Sequence, residues 1–211
     1  MNVLIACEES QVVTIEFRKL GHRAFSCDVL ECSGGHPEWH IQGDVTPLLD
    51  GDCTFTTSDA QTHKQVGRWD MIIAFPPCTY LSNAGAKHLF RGHKLNQERY
   101  QHGLEAKKFF MTILNANCDR IAVENPVSST IYHMPRHSQE IQPYQFGHAV
   151  QKKTRLWLRG LPPLLPTEIV EYKCGCHEAG TWFMKGGKER QRNRAKTFYG
   201  IGRAMAEQWG G

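Results

Sequence analysis

Short runs of consecutive apolar residues alternate along this chain with stretches whose apolar positions recur every three or four residues. Val3-Leu4-Ile5-Ala6 is an unbroken apolar run of the kind a strand buried on both faces requires. Residues 10–20 then predict a helix: Val12, Val13, Ile15, Phe17 and Leu20 lie among polar residues, and Gly21 supplies the stop. Ala24-Phe25-Ser26-Cys27 predicts a second strand ending at Asp28, a glycine-containing loop follows at 33–35, and residues 40–45 predict a short strand or turn ending at Asp44. Residues 50–68 are polar without clear period and read as a loop or a small hairpin. The clearest buried strand is 69–75, closed by Pro76-Pro77, neither of which can donate to a ladder. Helical spacing returns over 97–116, and Ile121-Ala122-Val123-Glu124 predicts the next strand, closed by Asn125-Pro126.

Strands alternating with helices predict an α/β fold with a mostly parallel sheet. After residue 135 the pattern changes. Tyr144-Gln145-Phe146 and residues 154–158 predict strands of a hairpin, a proline-rich connector covers 161–166, and 201–209 predicts a closing helix. We divide the chain into a main domain, 1–158 with 198–211, and a small basic module, 159–197.

At 211 residues, 40% hydrophobic and 22% charged, the chain has the composition of one globular domain. No apolar run is long enough to span a bilayer. Glu8-Glu9 follow the first apolar run too soon for a secretory signal, so a cytoplasmic protein without membrane partners is expected. Eight cysteines without regular spacing then read as reduced thiols, each a candidate for burial or for chemistry. The formal charge of +4 permits a polyanionic partner without requiring one.

Ligands of open α/β sheets sit beyond the carboxyl ends of the strands. That is where Glu8, Asp28, Asp44, Cys78 and Glu124 fall. An acid after the second strand suits a pair of ribose hydroxyls, although Asp28 or Asp44 alone reads as an ordinary turn residue. Cys78 follows two prolines and precedes Thr79-Tyr80-Leu81-Ser82, so its thiol sits on a rigid corner. Cys7, Cys27 and Cys118 lie in apolar settings and read as small packed hydrophobes. A carboxyl at Glu124, ending an apolar strand, is placed to be desolvated and held as a neutral acid.

With these motifs in view, the chain resembles the cytosine-C5 DNA methyltransferases, in particular a compact form found among bacteriophage and prophage proteins. Phe75-Pro76-Pro77-Cys78, continuing through Ser82-Asn83-Ala84-Gly85, is similar to that family's nucleophile loop. Val123-Glu124-Asn125-Pro126 is similar to its Glu-Asn-Val motif, and Lys153-Thr154-Arg155-Leu156 to its Gln-x-Arg-x-Arg strand, with Arg155 matching an arginine. Tyr199-Gly200-Ile201-Gly202-Arg203 loosely resembles its final Gly-Asn motif.

The resemblance implies a Rossmann-like methyltransferase fold using S-adenosyl-L-methionine. Ala6, Cys7, Glu8, Asp28, Val29, Asp44, Val45 and Pro76 would then lie against the cofactor. Cys78 would add to C6 of cytosine, Glu124 would protonate N3, and Arg155 would hold the pyrimidine oxygen. The target base would leave the duplex stack, in the cytoplasm of a bacterial host if the protein is phage-encoded.

Two departures from the family stand out. The first loop, Ala6-Cys7-Glu8-Glu9-Ser10-Gln11, contains no glycine, and about residues 159–197 are all that replace a target-recognition domain. In that module Lys185, Lys188, Arg190, Arg192, Arg194 and Lys196 lie near Trp182 and Phe183, which suits phosphate contacts with stacking, or a solvated basic loop. Ser82 and Lys153 complete the expected DNA contacts. No metal is expected. Cys174, Cys176 and His177 are candidate zinc ligands short of the four that a structural site needs, unless Cys32 and His36 come close. Cysteine addition at C6 serves any C5 chemistry, so the motifs leave open an enzyme of free pyrimidine nucleotides, another transferred group, or a non-catalytic DNA binder.

Overall fold

The apolar runs become the inner strands of one 7-stranded sheet. The computed structural model describes residues 1–86, 88–92, 94–172, 174–175 and 196–211. Its central strands are β1 (Asn2–Ala6), β2 (Arg23–Asp28), β3 (His40–Gln42), β4 (Met71–Ala74), β5 (Ile121–Pro126), β6 (Gln139–Ile141) and β7 (Thr154–Arg159). They lie in the order β6-β7-β5-β4-β1-β2-β3. From β3 to β5 every pairing is parallel, and β7 runs antiparallel to both β5 and β6. The sheet is therefore mostly parallel, as the alternating pattern predicts, and its parallel part has the order 3-2-1-4-5 found in doubly wound sheets.

Parallel sheets persist where helices cover both faces. Successive side chains on each strand alternate between two apolar layers. Leu4, Ala6, Ile72, Ala74, Ile121 and Val123 share one layer with Phe110 and Ile113 of α2 (Gln97–Leu114). Val3, Ile5, Met71, Ile73 and Ala122 share the other with Val13 and Phe17 of α1 (Val12–Lys19) and Ile201, Ala204 and Met205 of α3 (Tyr199–Gly210). Leu164, in the proline-rich connector, is fully buried in this second layer. Gly21 ends α1 with φ 79°, and the Asn96 side chain caps α2 by accepting from the Arg99 N–H at 3.2 Å.

Of the two forms expected for residues 50–68, the hairpin is present, Cys53–Thr56 paired with Thr62–Gln65. Two other expectations change in detail. β5 continues through Pro126, which stands opposite Thr154 at the end of the ladder, where a missing N–H is tolerated. Tyr144-Gln145-Phe146 do not form a strand. Pro143–Gln145 is a 3-10 turn, because the Gln145 side chain accepts from the Gln142 N–H at 2.7 Å, the Gln145 N–H donates to the Gln142 carbonyl at 3.0 Å, and Pro143 fixes the first φ. The antiparallel partner of β7 on that side is Gln139–Ile141 instead.

Gly103 of α2 lies against the ring of Tyr132, a 2% exposed side chain in the 3-10 turn Thr130–Tyr132. A Cβ at Gly103 would stand 2.1 Å from the Tyr132 ring. Gly103→Ala should therefore lower the urea midpoint, since a clash of about 1–3 kcal/mol outweighs the ~1 kcal/mol helical gain of alanine. A raised midpoint would show that Tyr132 does not pack there.

Candidate functional site

The chain leaves β1 for β2 on one side and later returns to β4 on the other, so the sheet's switch point lies between β1 and β4. Their ends are held together by the Phe75 N–H donating to the Ala6 carbonyl at 2.9 Å. The loop after β1 has no glycine, yet Cys7 (φ 59°) and Gln11 (φ 58°) both adopt the left-handed conformation that glycine favours. Such residues cost about 1–3 kcal/mol each and persist where their surroundings hold them. Here the Cys7 N–H donates to the Cys27 carbonyl at 2.7 Å. Gln11 is fully buried, donating to the His36 carbonyl at 2.8 Å and accepting from the His36 N–H at 3.1 Å.

Glu8, expected to face a ligand, is instead a buried helix cap. One carboxylate oxygen accepts from the Val13 N–H at 2.7 Å, and the other from the Thr14 hydroxyl at 2.7 Å and the Thr14 N–H at 3.2 Å. These satisfy N–H groups that the first turn of α1 leaves unpaired. Burial outweighs the donors and pushes the Glu8 carboxyl up to about 7. An acid ahead of the apolar-periodic residues is a capping signal that the sequence already carried.

Asp28, Asp44, Cys7 and Cys27 gather at the carboxyl ends of β1, β2 and β3. Burial raises the Asp28 carboxyl above its ordinary range, and it also accepts from the Leu30 N–H at 2.9 Å. Asp44 is exposed and accepts from the Thr46 N–H and hydroxyl, while Val45 is buried. Cys7 and Cys27 are held as neutral thiols by burial first and by Asp28 and Asp44 second, with Cys27 pushed up to about 12. Val29 is 70% exposed beside Asp28, leaving an apolar surface next to a carboxylate. His40, unmarked by any sequence motif, fixes this corner: fully buried, it donates from Nε2 to the Leu30 carbonyl at 2.9 Å.

Across the switch point, Pro76 is buried and Cys78 half-buried. The Cys78 carbonyl accepts from the Leu81 N–H at 3.2 Å and the Ser82 N–H at 2.9 Å, closing a turn. That turn is tied to the segment after β5. The Ser129 N–H donates to the Leu81 carbonyl at 2.7 Å, the Asn83 N–H to the Val127 carbonyl at 2.9 Å, and Ser82 bridges Ser128. From α2, Arg99 donates to the carbonyls of Thr79 and Gly85 at 3.2 and 3.1 Å and lies over the Tyr80 ring. A Cβ at Gly85 would meet the Thr79 carbonyl oxygen at 2.1 Å, so glycine is required there. Ser82, an expected DNA contact, is 6% exposed, and its hydroxyl accepts from the Gly85 N–H.

Glu124 shares a small pocket with Phe75, Lys152, Thr154, Lys196 and Phe198. Burial raises its carboxyl above the ordinary glutamate range, and the Lys152 ammonium pulls the other way. Arg155 does not join it. Glu124 stands opposite Leu156 and Asn125 opposite Arg155, so alternation directs Arg155 to the other face of the sheet. There its Nε donates to Glu140 at 2.9 Å, with Lys153 3.5 Å from the same carboxylate. The Arg155 hydrogen bond holds the Glu140 carboxyl below its usual range. Among the described residues the cations that line the Glu124 pocket are Lys152 and Lys196; the sequence points only to Lys196, as part of the basic module.

Lys185, Lys188, Arg190, Arg192, Arg194, Cys176 and His177 lie outside the described residues. Cys174 pairs through its backbone with Val150. Among the described residues no group of three His, Cys, Asp or Glu side chains is arranged to hold a metal ion, and no helix is long and apolar enough to cross a membrane. No protein-family model matches the chain, and no curated protein matches it.

Because the folded-state value of Glu8 lies above the ordinary 4.5, its contribution to stability is full below that value and declines as pH rises toward about 7. Glu8→Gln cannot ionise. Its unfolding free energy, measured by urea denaturation from pH 4 to 8, should lack this decline. An unchanged slope would place the titration elsewhere.

Proposed function

We propose that this protein is a DNA cytosine-C5 methyltransferase in which Cys78 is the nucleophile and Glu124 the acid. The observation that carries the reading is the backbone tie between the 78–82 turn and residues 127–129, which holds the loop of Cys78 against the segment that follows Glu124. A thiol and a desolvated carboxyl at neighbouring strand ends can act on one ring placed over the carboxyl edge. The chain's strand order and its carboxyl-edge acids support the methyltransferase form of the fold.

The Cys78 thiolate adds to C6 of cytosine as Glu124 gives its proton to N3, which turns C5 into a nucleophile. After C5 has taken up the new group, solvent removes the C5 proton, the C6–sulfur bond breaks, and N3 returns its proton to Glu124. Lys152, in the pocket of Glu124, is the cation placed to balance charge on that side of the ring. Arg155 is committed to Glu140 and has no part in this scheme.

Bound S-adenosyl-L-methionine would supply the methyl group as a sulfonium. The carboxyl edge of β1–β3 fits such a group. Asp28 would meet its ribose hydroxyls, exposed Val29 its base, and Cys7 and Asp44 the surrounding wall, whereas Ala6, Val45 and Pro76, expected in that set, are buried and offer no surface to it. The two positive-φ residues after β1 supply backbone angles that glycine usually provides. Glu8 is excluded from the set, because both its oxygens cap α1. DNA would approach the same edge, with phosphate contacts drawn from Lys153 and from the basic residues of 185–196.

Nucleoside mass spectrometry of DNA from cells expressing the wild type, Cys78→Ala or Glu124→Gln tests this. We expect 5-methylcytosine with the wild type and none with Cys78→Ala. With Glu124→Gln the rate should fall about 10²–10⁴-fold, since a donor remains but no transferable proton. A different C5 adduct would keep Cys78 and change the donor. Unmodified DNA from folded wild-type protein would turn the reading toward free nucleotides or a non-catalytic binder.

A further inference from the structure

Three fully buried polar side chains lie between the sheet and the start of α1: Gln11, Ser26 and His40. Ser26 of β2 and His40 of β3 stand opposite each other in the ladder. The Ser26 hydroxyl lies 2.9 Å from His40 Nδ1 and accepts from the Gln11 amide at 3.3 Å. The Leu30 carbonyl, 2.9 Å from His40 Nε2, can only accept, so Nε2 of the neutral ring carries the hydrogen and Nδ1 accepts from Ser26. The bonds therefore run one way, from Gln11 through Ser26 and His40 to Leu30. A core that only had to be filled would use apolar residues here, since every buried polar group must find a partner once water is gone. A fully paired network specifies one arrangement of the chain instead.

What it specifies is the path of residues 28–36. His40 holds the Leu30 carbonyl, while the Leu30 N–H donates to one carboxylate oxygen of Asp28 at 2.9 Å. Leu30 is thus gripped from below and in turn aims the Asp28 side chain. At the far end Gln11 takes both the N–H and the carbonyl of His36, at 3.1 and 2.8 Å. Both anchors of the loop therefore meet on a single hydroxyl, that of Ser26. Val29, between Asp28 and Leu30, is 70% exposed, and Leu30 is 50% exposed. Packing against the core cannot fix side chains that open to solvent, so these backbone bonds set where they stand.

We infer that His40, wired through Ser26 to Gln11, is a positioning residue for the adenosine half of the methyl donor: it holds Asp28 and Val29 as a wall already formed before the ligand arrives. The inference rests on the proposed use of S-adenosyl-L-methionine, whose ribose and base these two residues would meet. His40 is fully buried and acts through Leu30 without touching the ligand. A preformed wall spares the ligand the ordering of two residues, which is the ordinary gain from preorganisation.

His40→Leu removes the donor to Leu30 and strands no other group. The Ser26 hydroxyl has a second acceptor in the Trp39 carbonyl at 3.3 Å, and the carbonyl of half-exposed Leu30 can turn to water. The full-length variant is compared with the wild type by amide hydrogen exchange without ligand and by calorimetric titration with S-adenosyl-L-homocysteine. Exchange in peptides covering 28–36 should quicken about five-fold or more while peptides of β1 and β4 stay unchanged. The Kd should rise about ten-fold, as expected when two ligand-facing residues must be ordered on binding. Where DNA methylation is measured, KM for the donor should rise with kcat unchanged, the mark of binding lost equally from ground and transition states. His40→Gln carries a donor toward Leu30 and should recover part of both effects; it also serves if the leucine variant does not fold. Wild-type affinity in His40→Leu would overturn the inference alone, as would exchange that quickens equally throughout the molecule. A wild type that binds no S-adenosyl-L-homocysteine would remove the methyl-donor reading and this inference with it.

Discussion

The hydrogen bonds between residues 81–83 and residues 127–129 are the interaction on which the candidate site depends. The parallel ladder sets the ends of β4 and β5 side by side, but it stops at Ala74 and does not hold the loop that follows. A single antiparallel bridge at Ser82–Ser128 and its flanking backbone bonds fix that loop against the segment after β5. They cost little side-chain entropy, because the groups involved are main chain on segments already ordered by the sheet. Arg99 then braces the same loop from α2, and Gly85 lets the backbone close upon Thr79.

Burial sorts the ionisable groups around that edge into different tasks. Cys7 and Cys27 are kept protonated by desolvation and by the two neighbouring aspartates, so they are packing residues with little nucleophilic character. Glu8 and Glu124 are both raised by burial, but their partners differ. Glu8 meets three donors and builds a helix start, whereas Glu124 meets a pocket with a lysine. The same residue type at two strand ends is structural in one case and chemically available in the other. Donor geometry, which depends on where α1 begins, makes that distinction.

Several features were legible along the chain because they rest on local rules. Apolar runs at 3–6, 71–74 and 121–123 can only be buried on both faces, and the helical periods between them force parallel crossovers. Gly21 after α1 and Asn96 before α2 carry their stop and start chemistry in the residue itself. The misread segment, 144–146, is apolar enough for a strand, but Gln142-Pro143 and Gln145 form a capped turn whose bonds no period reveals.

The sequence by itself determined the α/β class, the succession of strands and helices, and which polar residues would fall at strand ends, since each follows from a run of a few residues. Tertiary structure alone decided which of those residues face one another. Arg155 follows β5's partner strand by a register that turns it to Glu140 and away from Glu124, and a shift of one residue would have reversed the outcome. Lys152 lines the Glu124 pocket, and Asn125 is fully buried on the opposite face of β5, for the same reason. Composition and spacing describe what a chain offers at each position, whereas pairing register and burial depend on segments far away along the chain.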